Sequence, residues 1–112
     1  MDMNIKRFYT FMPSVEEGGE RIRELIKDIN KAKKDMKYSY ATNIKVNLNG
    51  SLYTRAIELE RIDNIKVVNN ELKINFIARV RRDNKHFELI DKDTTISIPI
   101  RMIDSIEVDV VE

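Results

Sequence analysis

The stretch LKINFIARV, residues 72–80, decides the fold of this chain. Every second side chain in it is apolar, and the side chains between them are polar except for Ile77. Alternation with a period of two is typical of a β-strand with one buried face and one solvated face. An α-helix would spread the same apolar residues around its whole circumference. We therefore predict a long strand here, with Phe76 and Val80 on the same face.

The same alternation recurs before this strand. Residues 44–48 and 52–62 flank the dipeptide Asn49-Gly50, which favours a tight two-residue hairpin turn because both positions accept positive φ. Within the second segment the alternation changes phase after Leu59. Such a phase change predicts a bulge or a sharp bend that redirects the strand.

Shorter strands and turns complete the C-terminal two-thirds of the chain. Turns are predicted at residues 63–64, 69–70 and 91–93, a polar hairpin tip at residues 81–85, a single helical turn at residues 101–104 and a last strand at residues 106–110. Pro99 restricts the strand around Ile98 to the edge of a sheet, because proline cannot donate a ladder hydrogen bond.

The N-terminal part contains one helix, predicted over residues 14–37. Ser14 followed by Glu17 is a capping box, in which both side chains satisfy free backbone groups at a helix start. Gly18 and Gly19 disfavour helix, so we predict a broken first turn and a main helix from Glu20. Apolar residues spaced three and four apart then form one stripe: Ile22, Leu25, Ile26, Ile29, Ala32 and Met36. Residues 1–13 are predicted to be an extended or irregular arm whose aromatic side chains pack on the body, with docking on a partner as the alternative.

These elements predict a single domain, residues 1–112, of the α+β class and mainly β. An N-terminal amphipathic helix is followed by five to seven antiparallel strands over residues 43–111, which we expect to close into a small SH3-like or Sm-like barrel. The helix would cover the open end of that barrel. An open antiparallel sheet with the helix across one face is the alternative.

Composition excludes several classes of function. The 112 residues include 20 Lys and Arg against 19 Asp and Glu, a net charge of +1, so only a local patch could attract a polyanion. The absence of Cys and the single His disfavour thiolate or histidine metal sites, and we predict no metal and no cofactor. Apolar runs are too short for a membrane span or a signal peptide, so a cytoplasmic location without membrane association is expected.

One cluster of cations stands out as a candidate binding site. It consists of residues in and beside the hairpin tip: Arg79, Arg81, Arg82, Lys85 and His86. Such a cluster could bind phosphate groups with an affinity that depends on salt concentration. As the alternative, acidic residues on the same hairpin cancel its positive charge, and the tip is only solvated. Phe87, which follows the cluster, is assigned to the core. No catalytic residue is predicted, because His86 has no marked orienting partner or nucleophile.

Three segments, residues 46–50, 57–67 and 98–106, resemble the strand order of Sm-like barrels. More narrowly, with the sequence FYTFMP at residues 8–13, the chain is similar to the YolD-like proteins of Gram-positive bacteria and their mobile elements. It departs from those families at Ala56, where Sm-like barrels usually have a glycine, and at Ser14, where YolD-like proteins have Glu-His after the proline. The resemblance implies a non-enzymatic accessory protein tied to DNA-damage tolerance or to a phage or plasmid.

The sequence therefore predicts a non-enzymatic binding or regulatory protein, first as a nucleic-acid-associated accessory factor. The alternative is a protein-binding adaptor or inhibitor encoded by a mobile element, acting through edge-strand contacts or as a homo-oligomer. A protein partner and a nucleic acid partner are left equally open.

Overall fold

A computed structural model describes residues 5–36, 41–50, 55–83 and 87–112, except the side chain of Val15. In these ranges it contains one α-helix, seven strands and a short 3-10 helix. In chain order they are β1 Ile5–Phe11, α1 Val15–Lys34, β2 Ala41–Leu48, β3 Arg55–Leu59, β4 Ile62–Val68, β5 Glu71–Arg81, β6 Leu89–Pro99, the 3-10 helix Ile100–Met102 and β7 Ile103–Val111. The fold is mostly β, as the sequence predicted, but a strand precedes the helix.

The helix begins where the capping signal placed it. The Ser14 hydroxyl accepts a hydrogen bond of 3.2 Å from the backbone N–H of Glu17. The expected break before Glu20 is wrong, because the helix is continuous through Gly18. A β-carbon at Gly18 would lie 2.6 Å from Cγ2 of Ile100, so a glycine is needed for the close approach of helix and 3-10 helix. The helix ends at Lys34, earlier than predicted.

The first sheet has four antiparallel strands in the order β1-β7-β2-β3. Its centre is β7, in which Ile106, Val108 and Val110 are completely buried. The N-terminal strand lies beside this C-terminal strand, with Ile5 opposite Val111. The predicted N-terminal extension, residues 1–13, is therefore an edge strand over the described residues 5–11.

The aromatic side chains of β1 divide between core and solvent. Phe8 packs against the core, as predicted for the aromatic side chains of the N-terminal extension. Tyr9 and Phe11 are exposed, which contradicts that prediction for them. Phe11 instead lies under the guanidinium of Arg21, 4.5 Å from its ring centre.

The second sheet has three antiparallel strands in the order β4-β5-β6. The stretch at residues 72–80 lies within its central strand β5, and Leu72 and Ile74 are fully buried. The period-two prediction is confirmed. β6 is one continuous strand opposite β5, so the turn predicted at residues 91–93 is wrong. Pro99 ends this edge strand, as predicted.

One turn prediction is confirmed and another is wrong. Asn69 and Asn70 have φ of 51° and 61° and join Val68 to Glu71 in a two-residue hairpin turn, where a turn was predicted. At Asn49-Gly50 the expected two-residue turn is wrong, because Leu48 pairs with Arg55 and six residues separate them. Residues 51–54 of that connection lie outside the described residues.

The predicted bend lies between β3 and β4. Arg61 has a φ of 57°, and the chain there leaves the first sheet and enters the second. Ile62 follows and is buried. The turn expected at residues 63–64 is wrong, since these residues belong to β4 and only a bulge interrupts its pairing between Ile62 and Asn64.

The described strands form two sheets and no closed barrel, so that part of the fold prediction is wrong. The chain changes sheet at Arg61 and again through the 3-10 helix, where Ile100 is buried. The helix does not cover a barrel end; it packs against β1, β4, β7 and the 3-10 helix. Its apolar stripe and the inner faces of both sheets share one core.

Candidate functional site

A two-stranded arm projects from the second sheet. β4 covers β5 only as far as the pair Ile62 and Phe76, whereas β6 pairs with β5 for five more residues, from Ile77 opposite Asp93 to Arg81 opposite Leu89. We call residues 77–93 the arm; residues 84–86 at its tip lie outside the described residues. The radius of gyration is 15.3 Å, above the roughly 13 Å typical of a chain this long.

The arm carries the cations singled out in the sequence. Arg79 and Arg81 occupy alternate positions of β5 and share one face, while Arg82 follows with the opposite orientation. Lys85 and His86 lie outside the described residues. The structure therefore brings three of the five candidate residues onto one arm but does not gather them on one face.

Each of these three arginines contacts a partner on the returning half of the hairpin. Arg79 Nε lies 3.7 Å from Oδ1 of Asp91, and Arg82 Nη1 lies 3.3 Å from Oε2 of Glu88. The Arg81 guanidinium sits over the ring of Phe87, 5.2 Å from its centre. The carboxylates partly cancel the positive charge on which the phosphate-binding prediction rested.

Asp91 also links the arm to the body of the protein. It accepts two hydrogen bonds from Arg61, which stands at the bend between the sheets. These hydrogen bonds, together with the charges of Arg61 and Arg79, lower the pKa of Asp91 below its ordinary value. Asp91 is therefore ionised at neutral pH.

Large apolar side chains are exposed on the arm. Phe87 is 86% exposed, Leu89 58% and Ile90 40%. The assignment of Phe87 to the core is wrong, because it lies past the end of β4, where no described strand or helix covers the arm. The sequence does contain a signal for an exposed apolar side chain on the arm: Leu89 and Ile90 are adjacent apolar residues, so they point to opposite faces.

One backbone edge of the arm is open. The N–H of Ile77 donates a hydrogen bond of 3.2 Å to the carbonyl of Arg61, so odd-numbered residues of β5 direct their peptide groups toward the β4 side. β4 begins at Ile62 and continues the other way along β5. The peptide groups of Arg79 and Arg81 consequently face a side on which no described strand pairs with them.

A groove of about 1040 Å³ lies next to this open edge. On one side it is bounded by residues 76–79 of β5, and on the other by polar and apolar residues of the first sheet, among them Lys45 and Leu59. Its charged lining residues are Arg7, Lys45, Glu58, Glu60, Arg61, Arg79, Glu107 and Asp109.

All four cations of the groove have acidic partners. Arg7 donates to Asp109 at 2.9 Å, Lys45 lies 3.9 Å from Glu58, and Arg61 and Arg79 both contact Asp91. In contrast, neither Glu60 nor Glu107 forms an ion pair with a described residue. The lining itself holds four cations and four anions, and Asp91, which Arg61 and Arg79 share, brings the net charge of the cluster to −1. Glu107 acts on Arg7 through its charge without forming an ion pair.

Within the described ranges, no cluster of three or more His, Asp or Glu side chains could hold a metal ion. No helix in the same ranges has both the length and the apolar character that crossing a bilayer requires.

Comparison of the chain with protein-family models, with curated proteins and with solved structures found no match. The similarity to YolD-like and Sm-like proteins stays a prediction.

Proposed function

We propose that this chain is a protein-binding module, an adaptor or inhibitor without a catalytic step of its own, which docks on a partner protein through the arm. The observation that supports it is the exposure of Phe87, Leu89 and Ile90 on a ribbon that extends beyond the rest of the sheet. Aromatic and arginine side chains are enriched at the centres of protein interfaces, and here Arg81 stacks on Phe87.

The ribbon itself supports the same conclusion. A two-stranded hairpin is marginally stable in water on its own, and both edges of this one are unpaired over the described residues beyond β4. A partner that covers its apolar side chains would stabilise it. Burying Phe87 and Leu89 at an interface contributes roughly 25 cal/mol for each Å² of apolar surface removed from water, before the costs of association.

A different protein is a better partner than a second copy. Two copies that paired along β6, the outer edge of the arm, would place Asp93 of both chains on the same face of the joined sheet. Like charges that face each other across strands are destabilising. The proposal is therefore a hetero-complex, and the homo-oligomer becomes an outcome that solution mass would reveal.

Nucleic acid is the second candidate function, favoured by the Arg81–Phe87 stack on a ribbon that fits a major groove in width. Neutralisation of Arg79 and Arg82 by carboxylates argues against it. The two candidates differ in their dependence on salt, because phosphate contacts weaken steeply as salt rises whereas apolar burial does not.

The experiment uses a photo-reactive amino acid in place of Phe87, expressed in the native host, with a matched position at Met102. Met102 is 44% exposed and lies in the 3-10 helix, which follows the end of β6 that is opposite to the arm. The proposal requires a discrete cross-linked protein at position 87 that is absent at position 102. The cross-linked protein is then purified and its affinity measured for the original chain and for Phe87→Ser and Met102→Ser.

Affinity for that partner should fall at least tenfold in Phe87→Ser and stay unchanged in Met102→Ser, with little effect of salt. Equal loss in both variants would contradict docking by the arm. So would salt-dependent binding of the chain to single-stranded or duplex DNA that disappears in Arg82→Ser, which would assign the arm to nucleic acid. A dimer mass at micromolar concentration that reverts to monomer in Phe87→Ser would assign it to self-association.

A further inference from the structure

We propose that the groove beside the arm binds an extended, basic peptide segment of the partner, which adds as a strand to the open edge of β5. This inference rests on the proposal that the partner is a protein. It concerns a different surface from the apolar tip and specifies the chemistry that this surface would recognise.

The backbone at the edge provides the first requirement for strand addition. The carbonyl of Arg61 already accepts from Ile77, in the manner of a strand neighbour. Beyond it the chain turns away, because Arg61 adopts a φ of 57° and leads into β4 in the opposite direction. The next outward peptide groups, those of Arg79 and Arg81, would continue the same ladder with an added strand.

The groove provides the second requirement, which is space. Its volume of about 1040 Å³ is at the upper end of the roughly 300–1,000 Å³ usual for ligand-binding pockets. An added strand would lie about 4.8 Å from β5 and advance about 3.4 Å per residue. A strand opposite residues 77–81 therefore needs a peptide of about five residues in contact.

The charge of the groove provides the third requirement and determines which kind of peptide would bind there. With Asp91 counted, the charged groups around the groove have a net charge of −1. Glu60 and Glu107 form no ion pair with a described residue, and each would gain one from a lysine or arginine of the peptide. Leu59, Phe76 and Ala78 line the same groove, so apolar side chains of the peptide have a surface to cover. A segment in which basic and apolar residues alternate fits both, because alternate side chains of a strand point to opposite faces.

The test uses a fluorescein-labelled nonapeptide of alternating lysine and valine as the probe. Two control peptides have glutamate in place of lysine, or N-methyl groups on alternate residues so that one edge of the strand cannot donate hydrogen bonds. Fluorescence anisotropy should show binding of the lysine peptide at least tenfold tighter than binding of either control. Equal affinity for the lysine and N-methylated peptides, or no binding of any of them, would overturn the proposal.

A second measurement reports directly on the edge. Amide hydrogen exchange followed by NMR should slow at Arg79 and Arg81 when the lysine peptide is added, and stay unchanged at outward residues of β6 such as Thr95. Slowing at Thr95 with no change at Arg79 would place the peptide on the wrong edge and overturn the assignment.

A pair of double variants tests the role of charge. Glu60→Gln with Glu107→Gln should weaken binding of the lysine peptide at least fivefold. Glu20→Gln with Glu24→Gln, on the exposed face of α1, removes the same charge outside the groove and should leave binding unchanged. Equal weakening in both pairs would show non-specific attraction and contradict the site. None of these variants alters the apolar tip, so the groove and the tip can fail independently.

Discussion

Arg61 and Asp91 are joined by two parallel hydrogen bonds, Nη1 to Oδ1 and Nη2 to Oδ2, each 3.0 Å long. Arg61 stands where the chain passes from the first sheet to the second, and Asp91 stands on the arm. Arg79 approaches the same carboxylate at 3.7 Å. This bidentate pair therefore connects the arm to the bend between the two sheets.

We expect Arg61→Ala to loosen the arm without unfolding the body. Asp91 would keep only the longer contact with Arg79, so amide exchange at Ala78 and Val80, whose N–H groups face β6, should become several-fold faster. Exchange in the buried strand β7 should stay unchanged. The matched control is Arg7→Ala, which removes the bidentate pair with Asp109 in the first sheet. Faster exchange of the arm in both variants would contradict a specific role for Arg61.

The same pair predicts a pH dependence. The pKa of Asp91 is lowered in the folded protein, first by the hydrogen bond from Arg61. Its stabilising contribution is therefore complete above the ordinary pKa of aspartate, about 3.9, and is lost as pH falls through the lowered value. A carboxyl carbon NMR titration should give a midpoint for Asp91 below that of a free aspartate, and a higher midpoint in Arg61→Ala. Equal midpoints in the two proteins would contradict this cause.

Two adjacent glycines of α1 are expected to respond oppositely to alanine. At Gly18 a new β-carbon would lie 2.6 Å from Ile100 Cγ2 and 3.1 Å from Met12 Sδ, so the free energy of unfolding should fall by about 1 kcal/mol even after the gain in helix propensity. At Gly19 the nearest atom would be Arg23 Nη1 at 3.5 Å, an ordinary contact. Gly19→Ala should therefore raise the free energy of unfolding by up to about 1 kcal/mol.

Urea denaturation of the two variants measures this difference directly. The original chain is the reference for both. A gain in stability at both positions would show that Ile100 moves aside without cost, and the close approach of helix and 3-10 helix would then not require Gly18.

The individual strands were predictable from sequence because a strand records its burial in the alternation of its own side chains. Residues 72–80 show this, and so does the last strand around Val108. The helix start was predictable for a similar reason, since Ser14 and Glu17 act on backbone groups three residues away. In each case the physical cause lies within a few residues of its effect.

The arrangement of the sheets could not be predicted in the same way. The closed barrel was excluded by the direction of two connections, one at Arg61 and one through Ile100, and a phase change in the sequence does not specify that direction. Phe87 was misassigned for a related reason: its exposure depends on where β4 ends relative to β5, and pairing register is set between distant segments. The groove, built from both sheets, had no sequence signal.

A last prediction concerns Thr42, which lies in β2 opposite Val110 and is 1% exposed. Its hydroxyl has no hydrogen-bond partner among the described residues. A buried polar group without a partner costs about 1–3 kcal/mol, and valine has nearly the same shape and the same preference for strands. Thr42→Val should therefore raise the free energy of unfolding by about 1 kcal/mol or more. Thr42→Ser, which keeps the hydroxyl and removes a methyl group, should lower it by a similar amount. Urea denaturation of both variants checks the pair, and a loss of stability in Thr42→Val would mean that the hydroxyl is satisfied by water in solution.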